Sequence, residues 1–239
     1  GDTASIGMGQ FCHLIRRNID MLYIIEDNGV YGLTKGQFSA TADQGSKQKT
    51  GAFNPYEVID CCALAITLDC GFVARSFSGD AKQMVPLIKS GLSHKGLALM
   101  DVISPCITFN NHEGSTKSYK YVQDHDKPLH ALDFIEAQPE ITADYAEGAT
   151  KVIDLPDGTH LVLKKTDRDY DPTDKAAAFE AIEKSHREGV LLTGLLYIDE
   201  KKHDLNTMLN LVDTPLWAMK EADTRPSKAV LDQIMAGYR

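Results

Sequence analysis

No Cys-x-x-Cys occurs anywhere in this chain, and its five cysteines, Cys12, Cys61, Cys62, Cys70 and Cys106, are odd in number and mostly set among apolar residues. Local spacing therefore excludes an ordinary four-cysteine zinc or iron–sulfur site built from this chain alone. Reduced, buried thiols are the expected state of the first four. Long apolar runs are also missing. None approaches the roughly 20 residues of a membrane helix, so no membrane association is expected and the cytoplasm is the expected setting. Positive charge is scarce: Lys and Arg number 25 against 34 Asp and Glu, for a net charge of −9. Without a dense basic cluster, nucleic acid is excluded as a partner class. No internal repeat or low-complexity segment is evident.

What is present is enough chain for a large core. The 239 residues, 43% of them hydrophobic, fit one α/β domain plus an extension. Apolar spacing predicts a helix over Ser5–Arg17 and a strand over Met21–Ile25. Pro55 at the first helical position, with Asn54 as cap, predicts a helix to about Leu68. Phe72–Ala74 reads as a strand, Asp80 as the cap of a helix running to Leu92, and Leu97–Ile103 as a strand after Gly96. This alternation predicts a doubly wound parallel sheet, with ligands gathered at the carboxyl ends of its strands. From Asn110 onward the composition changes and an irregular segment is expected. A β-hairpin follows, with Val152–Leu155 and His160–Lys164 flanking Pro156-Asp157-Gly158-Thr159. A helix over Asp174–Arg187, a strand over Val190–Ile198 and a tail from Leu205 that wraps over a neighbour or partner subunit complete the reading. The expected division is 1–110 as the main domain and 111–239 as an α+β extension and subunit-contact region.

The most informative stretch runs from Asn28 to Gln37, Asn-Gly-Val-Tyr-Gly-Leu-Thr-Lys-Gly-Gln, directly after the apolar strand and Glu26-Asp27. An oxygen ligand, glycines and a hydroxyl at a strand exit suit a magnesium-bound diphosphate, because Mg²⁺ takes hard oxygen ligands and shares them with substrate phosphates. Taken alone, Asn28-Gly29 is more often an ordinary turn. The long polar segment from Phe38 to Asn54 is of a length that is usually functional or disordered. Asp20, Asp27, His94 and His112 read as caps and surface groups.

Gly1-Asp2, Ser5-Ile6-Gly7, His13, Arg16-Arg17-Asn18 and the Asn28–Gln37 loop, in that order, resemble the thiamine-diphosphate motif in the beta subunit of 2-oxoacid:ferredoxin oxidoreductases. Ser104-Pro105-Cys106-Ile107-Thr108-Phe109-Asn110, Val212-Asp213-Thr214-Pro215-Leu216 and Arg225-Pro226-Ser227 extend the resemblance over most of the chain. It implies the thiamine-diphosphate-binding fold. It also implies Mg²⁺ held by the Asn28 side chain and the Val30 carbonyl. Ile6, Gly7, Gly32, Leu33 and Thr34 would bind the cofactor, with Lys35 meeting the 2-oxoacid carboxylate. His13, on a helix near the cofactor, is a weaker candidate than a structural histidine. Cys106 would be one thiolate of a [4Fe-4S] cluster. Aligning Ser5-Ile6-Gly7 puts Gly1-Asp2 on the second Gly-Asp pair of the family pattern, so the metal-binding Asp is expected just before Gly1. In the alternative alignment Asp2 is itself the ligand. The other cluster cysteines would lie upstream too, so an N-terminally truncated piece is expected.

The resemblance further implies oxidative decarboxylation of a 2-oxoacid to an acyl-CoA and CO₂, with electrons passed to ferredoxin. An alpha subunit is the expected obligatory partner, in an α₂β₂ assembly. The C-terminal extension is most like the 2-oxoglutarate group, although pyruvate and branched-chain 2-oxoacids remain open. Two rival readings are a non-oxidative thiamine-diphosphate decarboxylase or synthase, which has no use for Cys106, and a non-catalytic interaction subunit.

Overall fold

The computed structural model describes residues 1–47, 51–106, 117, 119–128, 150–154, 160–164, 170–189 and 191–238. A π-helical turn, Asp2–Ile6, leads into α1 (Met8–Arg17), which ends on Asn18 in the left-handed region. Strand β1 (Met21–Asp27) follows, then the two-residue strands β2 (Val30–Tyr31) and β3 (Gln37–Phe38). Next come α2 (Cys61–Thr67), β4 (Phe72–Phe77), α3 (Ala81–Ser93) and β5 (Leu97–Ile103). Beyond Cys106 lie α4 (Tyr119–His125), β6 (Asp126–Pro128), β7 (Thr150–Asp154), β8 (His160–Lys164), α5 (Lys175–Glu188) and β9 (Leu191–Ile198).

Five strands form one sheet in the order β1-β5-β4-β9-β6. β1, β5 and β4 run parallel, with Ile25 opposite Asp101 and Asp101 opposite Arg75. β9 joins β4 antiparallel and carries β6 parallel to itself. Side chains of β5 alternate between two cores, as the pleat requires. Leu97 and Leu99 pack with Phe11, Ile15, Ile66 and Ile182, from α1, α2 and α5, while Ala98, Met100 and Val102 pack with Leu87 of α3. Helices on both faces of a parallel sheet make this the α/β architecture expected from the alternation. The β7–β8 hairpin is present, Thr150 pairing with Lys164, and its turn lies outside the described residues.

Two sequence expectations need correction. The second helix begins at Cys61, not Pro55, and Asp60 caps it by accepting from the Ala63 N–H at 2.9 Å. Asn54 is instead buried, and its amide donates to the carbonyls of Ala42 (3.0 Å) and Asp43 (3.1 Å), knitting the 42–56 loop. Residues expected to be irregular after 110 include α4, where the rings of Tyr121 and His125 stack one helical turn apart with centroids 4.0 Å from each other. By compactness the chain separates into two units, Gly1–Leu205 and Asn206–Arg239. β9 and β6 come from beyond residue 110, yet they complete the main sheet.

The second unit holds a 3₁₀ turn (Leu216–Ala218) and the helices α7 (Glu221–Thr224) and α8 (Lys228–Ala236), while α6 (Leu205–Met208) starts at the boundary. Its apolar side chains, Leu216, Trp217, Val230, Leu231, Ile234 and Met235 among them, are exposed. Ser227 caps α8 by accepting from the Val230 N–H.

Candidate functional site

β1 ends on Asp27, whose carboxylate is buried rather than on the surface. Its Oδ1 accepts from the Gly29 N–H at 3.1 Å and from the Thr41 hydroxyl at 2.5 Å. One residue on, Asn28 Oδ1 accepts from the Val30 N–H at 3.1 Å. This is the side-chain turn that Asn forms with its own backbone. Gly29 takes φ +70°, which lets the chain reverse between Asn28 and Val30. β2 then pairs with β3, Val30 opposite Phe38.

The tip between these strands closes on itself. The Gly36 N–H donates to the Tyr31 carbonyl at 2.8 Å, Thr34 Oγ1 donates to Gln37 Oε1, and Lys35 sits at φ +76°. Few non-glycine residues adopt that conformation. Leu33 is 99% exposed, and Gly32, Thr34 and Lys35 are exposed with it. A Cβ on Gly32 would meet nothing within 4 Å, so open space lies beside its backbone.

A cavity of about 540 Å³ lies against this turn, lined by Asp2, Glu26, Asp27, Asn28, Val30, Gly32, Leu33 and Thr41 among others. Of the residues singled out from sequence, the fold brings Asp2, Asn28, Val30, Gly32 and Leu33 to one wall. Thr34 and Lys35 stand on the exposed tip, outside that lining. Gly7 and His13 line a neighbouring cavity of about 470 Å³, which Asp2 shares. Ile6 lines neither and is 77% exposed. Cys106 is half-buried beyond β5, on a segment tied to the end of β1 by the Ser104 N–H donating to the Asp27 carbonyl at 2.8 Å.

The donor chemistry fits Mg²⁺ and a diphosphate. A carboxylate (Asp2), an amide oxygen (Asn28) and a peptide carbonyl (Val30) are the hard ligands this ion prefers, and no Lys, Arg or His lines the cavity among the described residues. The cysteines do not fit a cluster in the same way. Among the described residues no group of three or more His, Cys, Asp or Glu is placed to hold a metal, so Cys106 offers at most one thiolate. Cys61, Cys62 and Cys70 are buried packing groups, whereas Cys12, expected to be buried, is only half-buried. Burial pushes Cys61 and Cys62 well above the usual thiol range, and Cys70 up to about 11.

A second cavity, about 210 Å³, shares Asp27 as a lining residue. Here Arg75 in the middle of β4 donates from Nη2 to Asp60 (2.8 Å) and from Nε to Asp101 (2.9 Å), all three almost wholly buried. His186 Nε2 lies 2.9 Å from Asp60 Oδ2, and Lys117 pairs with Asp43 at 3.1 Å. Burial alone would raise Asp60, but Arg75, His186 and the Ala63 N–H hold it well below the carboxylate range. Asp101 goes the other way. Burial pushes it up to about 6, the shared Arg75 does not offset that, and its Oδ1 finds no hydrogen-bond partner. Two carboxylates on one guanidinium leave one charge uncompensated, and Asp60 has the additional donors.

Asp27, Thr41 and the Arg75 triad escaped the sequence reading. The available signal was polarity inside apolar runs: Arg75 follows Phe72-Val73-Ala74, and Asp101 sits within Leu97–Ile103. A charge in such a run needs a buried partner.

The chain is similar to several known proteins. Residues 1–102 match the thiamine pyrophosphate enzyme family, C-terminal TPP-binding domain. A 2-oxoacid:ferredoxin oxidoreductase subunit beta from a Sulfolobus species is 46% identical over 134 residues, 56% of this chain and 42% of that protein. The 2-oxoglutarate synthase subunit KorB of Methanocaldococcus jannaschii is 40% identical over 110 residues, 46% of this chain and 41% of that protein. A solved 2-oxoglutarate:ferredoxin oxidoreductase from Magnetococcus marinus, with 2-oxoglutarate, coenzyme A and succinyl-CoA bound, superposes with a TM-score of 0.64 at 26% identity, covering 95% of this chain and 65% of that one. The chain is thus related to the beta subunits of 2-oxoacid:ferredoxin oxidoreductases, as its motifs suggested, and matches less than half the length of these curated relatives. No helix among the described residues is long and apolar enough to cross a membrane.

Proposed function

We propose that this chain forms the thiamine-diphosphate-binding part of the beta subunit of a cytoplasmic 2-oxoacid:ferredoxin oxidoreductase, with 2-oxoglutarate as substrate. The observation that carries the reading is the convergence of Asp2, Asn28 and Val30 on one cavity at the carboxyl end of β1, in a chain related to such subunits. When bound, thiamine diphosphate supplies the electron sink for decarboxylating a 2-oxoacid. The chain's own residues do the holding. Asp2, Asn28 Oδ1 and the Val30 carbonyl would take Mg²⁺, and the backbone beside Gly32, Leu33 and Thr34 would face the diphosphate. Gly7 and His13, which line the neighbouring cavity, and Ile6, exposed outside both, would be outlying members of the cofactor-binding set, with His13 the weakest. Lys35, exposed on the loop tip, would meet the substrate carboxylate as a point charge.

The partners follow from the same reading. An alpha subunit completes the active site, and the exposed apolar side chains of Asn206–Arg239 are its contact region. Coenzyme A accepts the acyl group and ferredoxin accepts electrons. Cys106 would give one thiolate to a [4Fe-4S] cluster whose other ligands lie outside this chain.

The test is calorimetric titration of thiamine diphosphate into the chain with and without MgCl₂, followed by ferredoxin-coupled 2-oxoglutarate oxidation with the alpha subunit present. Magnesium-dependent binding followed by CoA-dependent turnover is the expected result. Absence of both, from a folded preparation, sinks the proposal.

A further inference from the structure

We infer that Asp27 and Thr41 form a clasp that fixes the separation of the two metal-binding positions, acting as positioning residues and not as ligands. This rests on the proposed Mg²⁺–diphosphate site at Asp2, Asn28 and Val30. Gly29 lies between the two loop ligands, so rotation of either of its peptides would swing the Asn28 side chain or the Val30 carbonyl away. Both of its backbone groups are held from outside the turn. Its N–H donates to Asp27 Oδ1 at 3.1 Å, and its carbonyl accepts from the Ser39 N–H at 3.1 Å.

Those two holds are themselves one unit. Thr41 donates its hydroxyl to the same Asp27 oxygen at 2.5 Å, its own N–H donates to Ser39 Oγ at 3.2 Å, and the two hydroxyls lie 2.8 Å apart. Asp27, Ser39 and Thr41 are all buried, at 7%, 5% and 4% exposure. Water therefore competes poorly for these bonds, and a lost donor is not replaced. The clasp also reaches the first segment of the chain, since the Ala40 N–H donates to Ser5 Oγ at 3.1 Å. Asp2 belongs to the same helical turn as Ser5. Asp27 thus joins the ligand loop, the 39–41 segment and, through it, the segment carrying the third oxygen donor.

The test compares Thr41→Val with Thr41→Ser in the full chain. The valine keeps the shape and removes the donor, while the serine keeps the donor. The first readout is calorimetric binding of thiamine diphosphate in excess MgCl₂. The second is hydrogen exchange of the Gly29–Tyr31 amides in the ligand-free protein. Thr41→Val should weaken binding about tenfold, the size expected for one buried charge-assisted hydrogen bond, and speed exchange at those amides by a similar factor. Thr41→Ser should restore both to within about threefold of the parent protein. A purely structural hydroxyl would lower the melting temperature alone and leave affinity at 25 °C unchanged. Should the valine variant not fold, Asp27→Asn replaces it, with weaker binding and faster exchange again expected. Parent protein that binds while the variant binds equally well overturns the clasp alone. Parent protein that binds no Mg²⁺–diphosphate overturns the cofactor reading, and the clasp's role in ligand binding with it.

Discussion

The two cavities on either side of Asp27 treat charge in opposite ways. Around Arg75 the carboxylates meet basic partners inside the protein: one guanidinium bridges Asp60 and Asp101 at 2.8 and 2.9 Å, and Lys117 pairs with Asp43. Around Asn28 the lining holds Asp2, Glu26 and Asp27 but no basic side chain among the described residues. The first cavity has basic partners of its own for its carboxylates. The second has only carboxylates among its charged side chains. The contrast teaches that abundance of charged residues does not mark a ligand site; what marks it is the balance of sign left over.

The sharpest way to break this comparison is to remove the central cation. Arg75→Ala strands two buried carboxylates, and a loss of about 3–5 kcal/mol of stability is expected, read as a drop in the denaturation midpoint. If stability changes by less than about 1 kcal/mol, typical of a surface pair, the triad is not what holds β4, β5 and the start of α2 together.

At the other cavity the largest effect should follow withdrawal of Mg²⁺. Diphosphate binding is expected to fall by roughly a hundredfold or more, since only carboxylates would then face it. Asn28→Ala should weaken magnesium-dependent binding about tenfold while changing stability by less than about 1 kcal/mol. Equal binding with and without the metal would erase the distinction between the cavities.

A smaller effect sharpens the comparison through pH. Asp101 is pushed from 3.8 to about 6, so the folded chain holds that proton more tightly than the unfolded chain does. Its contribution is therefore most favourable below about pH 4 and declines as pH rises to about 6. Asp60 has the opposite sign. Its stabilisation is present above about pH 4 and is lost as pH falls further. Asp101→Asn should flatten the decline between pH 4 and 6 by on the order of 1–2 kcal/mol, measured by urea unfolding across that range. An unchanged slope would mean that Arg75 satisfies Asp101 after all.

The smallest signal concerns the C-terminal unit. Trp217 is the chain's single tryptophan and is 88% exposed. Its emission should shift to shorter wavelength when the alpha subunit binds, as an amphipathic ring leaves water. An unshifted spectrum in a formed complex would remove this part of the unit from the interface.

The legible parts of the fold were those decided by local pattern. β5 is predicted end to end because a mostly apolar run follows Gly96, and α3 starts where Asp80 caps it, accepting from the Gln83 N–H. From sequence β4 reads as Phe72–Ala74 only. It runs on to Phe77 because Arg75 meets Asp60 and Asp101. β1 likewise continues past Ile25, since Glu26 and Asp27 pair across to Val102 and Ile103 and the Asp27 carboxylate finds donors. The ligand loop was legible as a contiguous motif. Thr41 was not, because its pairing with Asp27 exists only once the chain has returned around β2 and β3. Lys35 and Thr34 were legible as motif members, but the tip places both outside the cavity lining.

The antiparallel pairing of β4 with β9 has a consequence for how this chain comes into being. β4 is buried along its whole length, and its second neighbour is drawn from residues 191–198. During synthesis, β1, β4 and β5 emerge long before that neighbour does. For this interval a strand that is buried in the finished sheet has one open row of backbone donors and acceptors, the kind of edge that recruits strands from other molecules. The late strand thus caps as well as extends the sheet, and the yield of soluble protein hangs on how soon it arrives.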